Sequence, residues 1–203
     1  IHIATDHAGL ELSRYLVDSL TSDGHELIDH GPQTYDPQDD YPAFCIDAAI
    51  AVRRDLDAGR EALGIVLGGS GNGEQMAANK VPGIRAALIW SETTAALARE
   101  HNDAQIAAVG GRQHQKEEAL QIIRVFLSTP FSGDERHVRR IGQIGHADGA
   151  TTDLVLIGGA DPAPGRADLA RAARILANQP VAPALGAQVG GAARAEQQRE
   201  DML

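Results

Sequence analysis

Cysteine occurs once in the 203 residues, at Cys45, so no intramolecular disulfide can form and no cysteine-based metal-ligand spacing exists. A lone thiol fits a reducing compartment. Aromatic residues make up only 3% of the chain. That leaves the core to Ala, Val, Ile and Leu, and it argues against single-stranded nucleic-acid binding, which relies on aromatic stacking. Positive charge is short as well: 18 Lys and Arg stand against 28 Asp and Glu, a net charge of −10. A broad phosphate-tracking surface is therefore not expected, and any anion must be bound locally. No apolar run reaches membrane-spanning length, and the opening IHIATDHAGLEL is patterned as a strand and a helix rather than as a signal peptide. The missing initiating Met points to a chain trimmed at its start. With 43% hydrophobic and 23% charged residues, the composition is that of a globular cytoplasmic protein with no nucleic-acid or membrane partner.

Glycine, by contrast, is concentrated where it can do chemistry. Leu63 to Lys80 reads LGIVLGGSGNGEQMAANK. Ile65, Val66 and Leu67 suit a buried strand. Gly68, Gly69, Ser70, Gly71, Asn72 and Gly73 then form a turn without bulk, and Glu74 opens a helix. A strand, a glycine turn and a helix start leave backbone N–H groups unpaired above the turn, which makes an anion or oxyanion site. A carboxylate at its edge suits removal of a proton next to a carbonyl. The competing reading is a turn that merely permits tight packing. The pattern matches neither the phosphate loop ending in Gly-Lys-Ser/Thr nor the dinucleotide fingerprint, so a non-catalytic nucleotide-binding module is the weaker alternative.

Along the chain, strands are predicted at residues 1–5, 25–29, 63–67, 85–89 and 105–109. Helices are predicted at 10–20, 42–57, from 74, from Ser91 to 100, 116–127 and 132–144. Gly24 ends the first helix, 31–41 is a polar loop, and Pro130 breaks the penultimate helix. This alternation predicts βαβ units, a five-stranded parallel sheet and a Rossmann-like three-layer α/β/α sandwich. Ligands of such sheets sit over the carboxyl ends of the strands, where Asp6, His7, Ser70, Glu74 and Arg112 should converge. Residues 1–146 form this domain. Residues 147–203, rich in Ala, Gly and Pro, read as an appended extension that is partly disordered, with a possible strand at 153–157 and helix at 167–177.

Several segments together resemble one family. TDHAG, DDYPAF (39–44), GGSGNGEQMAANKVPG, AREHN (98–102), GGR (110–112) and RHVRRI (136–141) occur in the order and spacing of type B ribose-5-phosphate isomerases, a group that also includes allose-6-phosphate and galactose-6-phosphate isomerases. The resemblance covers about residues 1–145. It implies a Rossmann-like sandwich and a homodimer with active sites at the interface. It also implies aldose–ketose interconversion of ribose 5-phosphate and ribulose 5-phosphate without metal or cofactor. Many members carry a cysteine base where this chain has Gly68. This chain is similar instead to the subgroup in which a glutamate after the turn takes over, which is Glu74, and Cys45 is then a packing residue. A helix start would further favour the ionised form of Glu74 at some loss of basicity.

The resemblance gives the remaining residues their roles. Glu74 moves a proton between C2 and C1 through an enediolate, while Ser70 and the N–H groups of Gly69, Gly71, Asn72 and Gly73 hold the oxygen that turns negative. Ser70 could equally be a turn residue bonding its own backbone. His101 matches the ring-opening acid and Asn102 a sugar ligand, though a histidine at a helix end can simply cap carbonyls. Arg112, Arg136 and Arg140 match the phosphate-binding arginines. Arg136 and Arg140 share a helix face, which Arg139 would fill as well in a merely solvated basic surface. Asp6 and His7 match substrate contacts and would otherwise form an ordinary Asx turn, and Tyr41 is a candidate pocket wall. Six-carbon 6-phosphates are the alternative substrates.

Overall fold

The computed structural model describes residues 1–147. In chain order the elements are β1 (His2–Ala4), α1 (Leu10–Ser22), β2 (Ile28–Asp29), α2 (Tyr41–Asp57), β3 (Gly64–Gly68), α3 (Asn72–Ala78), β4 (Ala86–Leu88), α4 (Glu92–Asn102), β5 (Ile106–Gly110), α5 (Lys116–Ser128) and α6 (Glu135–Ala147). The strands form one parallel sheet of order β2-β1-β3-β5-β4. The residues assigned by pattern to an extension, with the strand and helix suggested there, lie outside the described residues.

Side-chain alternation builds the layers. Ile65 and Leu67 of β3, with Ala107 and Val109 of β5, face α1, α4 and α5, where Leu16, Leu20, Ile123 and Phe126 are fully buried. Val66, Ile106 and Ala108 face the other way, against Ala48, Ala49 and Val52 of α2 and Ala78 of α3. Both central strands are buried along their whole length, as continuous apolar runs in a doubly covered parallel sheet must be. With aromatics scarce, small side chains let the helices sit close, and only Phe126 among Phe, Tyr and Trp is wholly buried. Two ion pairs tie α5 to α1: Lys116 with Glu11, and the forked Arg124 with Asp23 at 2.8 and 2.9 Å.

The edges are shorter than the pattern suggests. β2 is confined to Ile28–Asp29, both exposed, and β4 to Ala86–Leu88. Each pairs on one side only, so the ladder gains less there than in β3 or β5. The last helix starts at Glu135 rather than Ser132, because the Ser132 hydroxyl accepts the Asp134 backbone N–H and contacts the His137 ring. Ser91 caps α4 with a full capping box shared with Thr94. No described helix is long and apolar enough to cross a membrane.

Candidate active site

The turn after β3 lies at the carboxyl end of the two central strands. Gly71 adopts φ +81°, and a Cβ there would meet Leu88 at 2.7 Å and the Val109–Gly110 backbone near 3 Å, so only glycine lets the turn press onto β5. The Gly111 N–H donates to Gly68 at 2.7 Å and the Arg112 N–H to Gly69 at 3.3 Å. This stitching brings the Arg112 side chain alongside Gly69. The amides of Gly69, Ser70 and Gly73 donate to no acceptor among the described residues. Ser70 accepts from the Asn72 backbone at 3.3 Å and side chain at 3.2 Å, so it is a turn-forming residue whose own hydroxyl proton remains to be donated. A cavity of about 360 Å³ opens beside the turn, lined by Ser70, Asn72, Leu88, Trp90, Gln113 and His114.

Glu74 is the third residue of α3 and is only 4% exposed. Its carboxylate folds back over Gly68 and occupies the space into which a side chain at Gly68 would project. Oε2 has no hydrogen-bond partner. The helix-start amides do favour its charged form, but the expected loss of basicity is overturned. Burial is the largest influence and raises the pKa; the backbone amides of Glu74 itself and of Gly71 pull it down, and Asp6 raises it again. α3 has seven residues, too short a dipole to outweigh desolvation. The result is a more basic carboxylate than an exposed one, which suits proton abstraction. Cys45 is fully buried on α2, and its thiol is pushed up to about 12, first by burial and then by the charges of Glu74 and Asp6. It supplies no thiolate near neutrality.

Asp6 and His7 follow β1 at the same end of the sheet. Asp6 Oδ1 accepts the Ala8 N–H at 2.9 Å, an Asx turn as the bland reading has it. His7 is held otherwise, by Asp39, whose Oδ1 accepts from the His7 backbone at 3.0 Å and lies 2.6 Å from the ring Nδ1. Asp6, His7 and Asp39 are the described residues that could ligate a metal, with donor atoms within 4.8 Å of one another, although Asp39 already engages His7 Nδ1. Tyr41, the first residue of α2, packs its ring against Gly73 at the edge of the turn.

His101, Asn102, Arg136 and Arg140 are not brought to this turn. α4 runs antiparallel to the strands and ends at their amino ends. There Arg85, just before β4, donates to the carbonyls of Asn102 and Asp103, both at 2.8 Å. α6 and the segment before it join α4 at that end, through the Ser132 N–H to Glu100 at 3.1 Å and through His137, whose ring is tilted at 38° to that of His101 with centroids 4.3 Å apart. Arg136, Arg139 and Arg140 are exposed on α6. Within one chain, then, the sites form two groups at opposite ends of the sheet, on the order of 15 Å apart for strands of this length. Two residues of these groups were not singled out from the sequence, Asp39 and His137, although both lie inside motifs that carried the resemblance. His137 is 3% exposed, and burial, followed by the neighbouring His101, lowers its pKa.

A parallel α/β sheet, a turn of unpaired amides at its carboxyl end and a buried carboxylate suit a proton-transfer enzyme for a small oxygen-rich substrate. The model of the Ribose/Galactose Isomerase family matches residues 1–144, and the chain belongs to that family. It is 57% identical over 141 residues to ribose-5-phosphate isomerase B of Mycobacterium tuberculosis, a match covering 70% of this chain and 85% of that one. Among solved structures, ribose-5-phosphate isomerase B from Mycoplasma genitalium with bound ribulose-5-phosphate superposes with a TM-score of 0.69 at 40% identity, covering 74% of this chain and 96% of the other. The Clostridium thermocellum ribose-5-phosphate isomerase B does so with 0.68 at 41% identity, over 73% and 96%.

Proposed function

We propose that the protein interconverts D-ribose 5-phosphate and D-ribulose 5-phosphate, the aldose–ketose step of the non-oxidative pentose phosphate pathway, in the cytoplasm. The observation that carries this reading is the Glu74 carboxylate buried over Gly68, beside amides with no acceptor. With the open-chain aldose bound, Glu74 removes the proton from C2. The electron pair moves into an enediolate whose oxygen is held by Ser70 and the turn N–H groups. As the same carboxyl delivers the proton to C1, the O2 hydroxyl proton passes to O1, so that C2 becomes the carbonyl and C1 the hydroxymethyl of the ketose. Gly68 and the buried Glu74 support placing the chain in the glutamate-base subgroup. His101 donates the proton that opens the sugar ring, Asn102 binds the sugar, and Arg112, Arg136 and Arg140 bind the phosphate.

One chain cannot perform this sequence, since His101 and the α6 arginines lie at the far end of the sheet from Glu74. A homodimer in which each site joins the glycine turn of one chain to the α4 terminus and α6 of its partner meets the requirement. We assign the isomerase domain to residues 1–146 and no catalytic part to 147–203, so truncation after residue 148 should leave turnover intact. The test of the function is ketose formation from ribose 5-phosphate compared with allose 6-phosphate. Turnover of the pentose phosphate is the expected result; turnover of the hexose phosphate alone, or of neither, refutes the reading.

A further inference from the structure

The loop between β2 and α2 is exposed from Gln33 to Gln38, then turns one carboxylate inward. Asp36 shapes the turn: its Oδ1 accepts the Gln38 N–H at 2.9 Å and its carbonyl the Asp39 N–H at 3.2 Å. The Asp39 side chain ends only 9% exposed. All of its hydrogen bonds go to one residue: Oδ1 takes the His7 backbone N–H and lies 2.6 Å from His7 Nδ1, while Oδ2 is buried without a partner. A carboxylate has no proton to give, so a contact of that length requires the proton on Nδ1. No other described residue hydrogen-bonds the His7 ring; Tyr35 only meets it edge-on at 6.0 Å. The next residue, Ala8, borders both Gly69 and Gly111. The ring therefore stands at the mouth of the glycine turn with one nitrogen occupied and one left.

We infer that Asp39 is a positioning residue for the substrate: it fixes the His7 imidazole in the Nδ1–H form, so that Nε2 is the nitrogen presented to the sugar phosphate. The inference rests on the isomerase reading of the site. The carboxylate does more than anchor a loop, because an anchor needs only an acceptor for the backbone N–H. A charge buried with a single partner is costly unless that partner uses it. Holding a histidine in one tautomer through a buried aspartate is an established way of keeping the opposite nitrogen competent, and an amide in its place permits the wrong tautomer. Asp39→Asn keeps an oxygen for the His7 N–H but loses the charge that holds the ring proton at Nδ1.

The test is a double-mutant cycle on the full chain with Asp39→Asn, His7→Asn and the pair, together with ¹⁵N NMR of the His7 ring. The expected result is an Nδ1–H ring in the wild type and a gain of the Nε2–H form in Asp39→Asn. KM for ribose 5-phosphate should rise about tenfold in Asp39→Asn, falling to less than about twofold when His7 is already Asn. An equal KM penalty in both backgrounds, or a wild-type ring carrying its proton on Nε2 alone, overturns the inference. If the wild-type chain turns over no pentose phosphate, the isomerase reading fails; the NMR measurement still decides the tautomer, and an Asp39→Asn ring unchanged from wild type overturns the dyad independently of turnover.

Discussion

Burying the Glu74 carboxylate costs solvation, and Gly68 makes the burial possible by leaving its side-chain space to the carboxylate. Two predictions follow at this scale. Glu74→Gln should lower kcat by ~10²–10⁴ while leaving the melting temperature unchanged or higher. The sign is fixed by the raised pKa: the folded state holds this proton more tightly than the unfolded chain, so stability falls as pH rises from the unfolded to the folded pKa, and the neutral amide is spared that loss. Calorimetry and a ketose assay on the same samples check it, and a clear drop in melting temperature would count against a costly charge. Gly68→Ala should displace the carboxylate and reduce kcat on the order of 10²-fold, the usual penalty for a misplaced catalytic group. A crystal structure of the variant would show whether Glu74 has moved. Glycine spacing made the turn legible from sequence. The direction of the pKa was not legible, because it depends on which atoms cover the carboxylate.

Among the elements, the edge formed by β1 and β2 carries a part-buried polar relay. His2 Nδ1 lies 2.9 Å from His30 Nε2, His2 Nε2 lies 3.3 Å from Asp55 of α2, and Asp55 is held at about 2, chiefly by its hydrogen bond from Arg60. Burial lowers the pKa of both histidines below the ordinary 6.5. Below pH 6.5 the unfolded chain therefore takes up protons that the folded chain refuses, and stability should decline as pH falls from that point to the folded pKa values. Melting temperatures measured between pH 7.5 and 5 should show this slope, and His30→Asn should flatten it. An identical slope in the variant would locate the acid sensitivity elsewhere. Periodicity placed the long helices and central strands well, since β3 and β5 are unbroken apolar runs. It overextended β2 and β4, where one-sided pairing rather than local pattern sets the strand length.

At the scale of the whole molecule, the two groups of site residues decide how many chains make one active site. Mixing Glu74→Gln chains with His101→Asn chains, after unfolding and reassembly, tests this directly. If each site takes Glu74 from one chain and His101 from the other, half the dimers are hybrids with one intact site of two, and about a quarter of wild-type activity should return. If each site belongs to a single chain, the mixture stays as inactive as its components. The antiparallel run of α4 makes the first outcome the expected one, because it ends at the opposite end of the strands from the start of α3, where Glu74 stands.

What the chain's linear order determined by itself was everything carried by neighbours in sequence: the alternation of strands and helices, the glycine turn with its carboxylate, a glycine rather than a cysteine at position 68 and the motifs that mark the family. The tertiary structure alone decided the pairings that span distant residues, namely Asp39 with His7, His101 with His137, Gly68 with the Glu74 carboxylate, and the separation of His101 from Glu74. Local preferences act through bonds and turns a few residues long. Burial, tautomer and proximity are set by side chains that meet only after the sheet has closed around them.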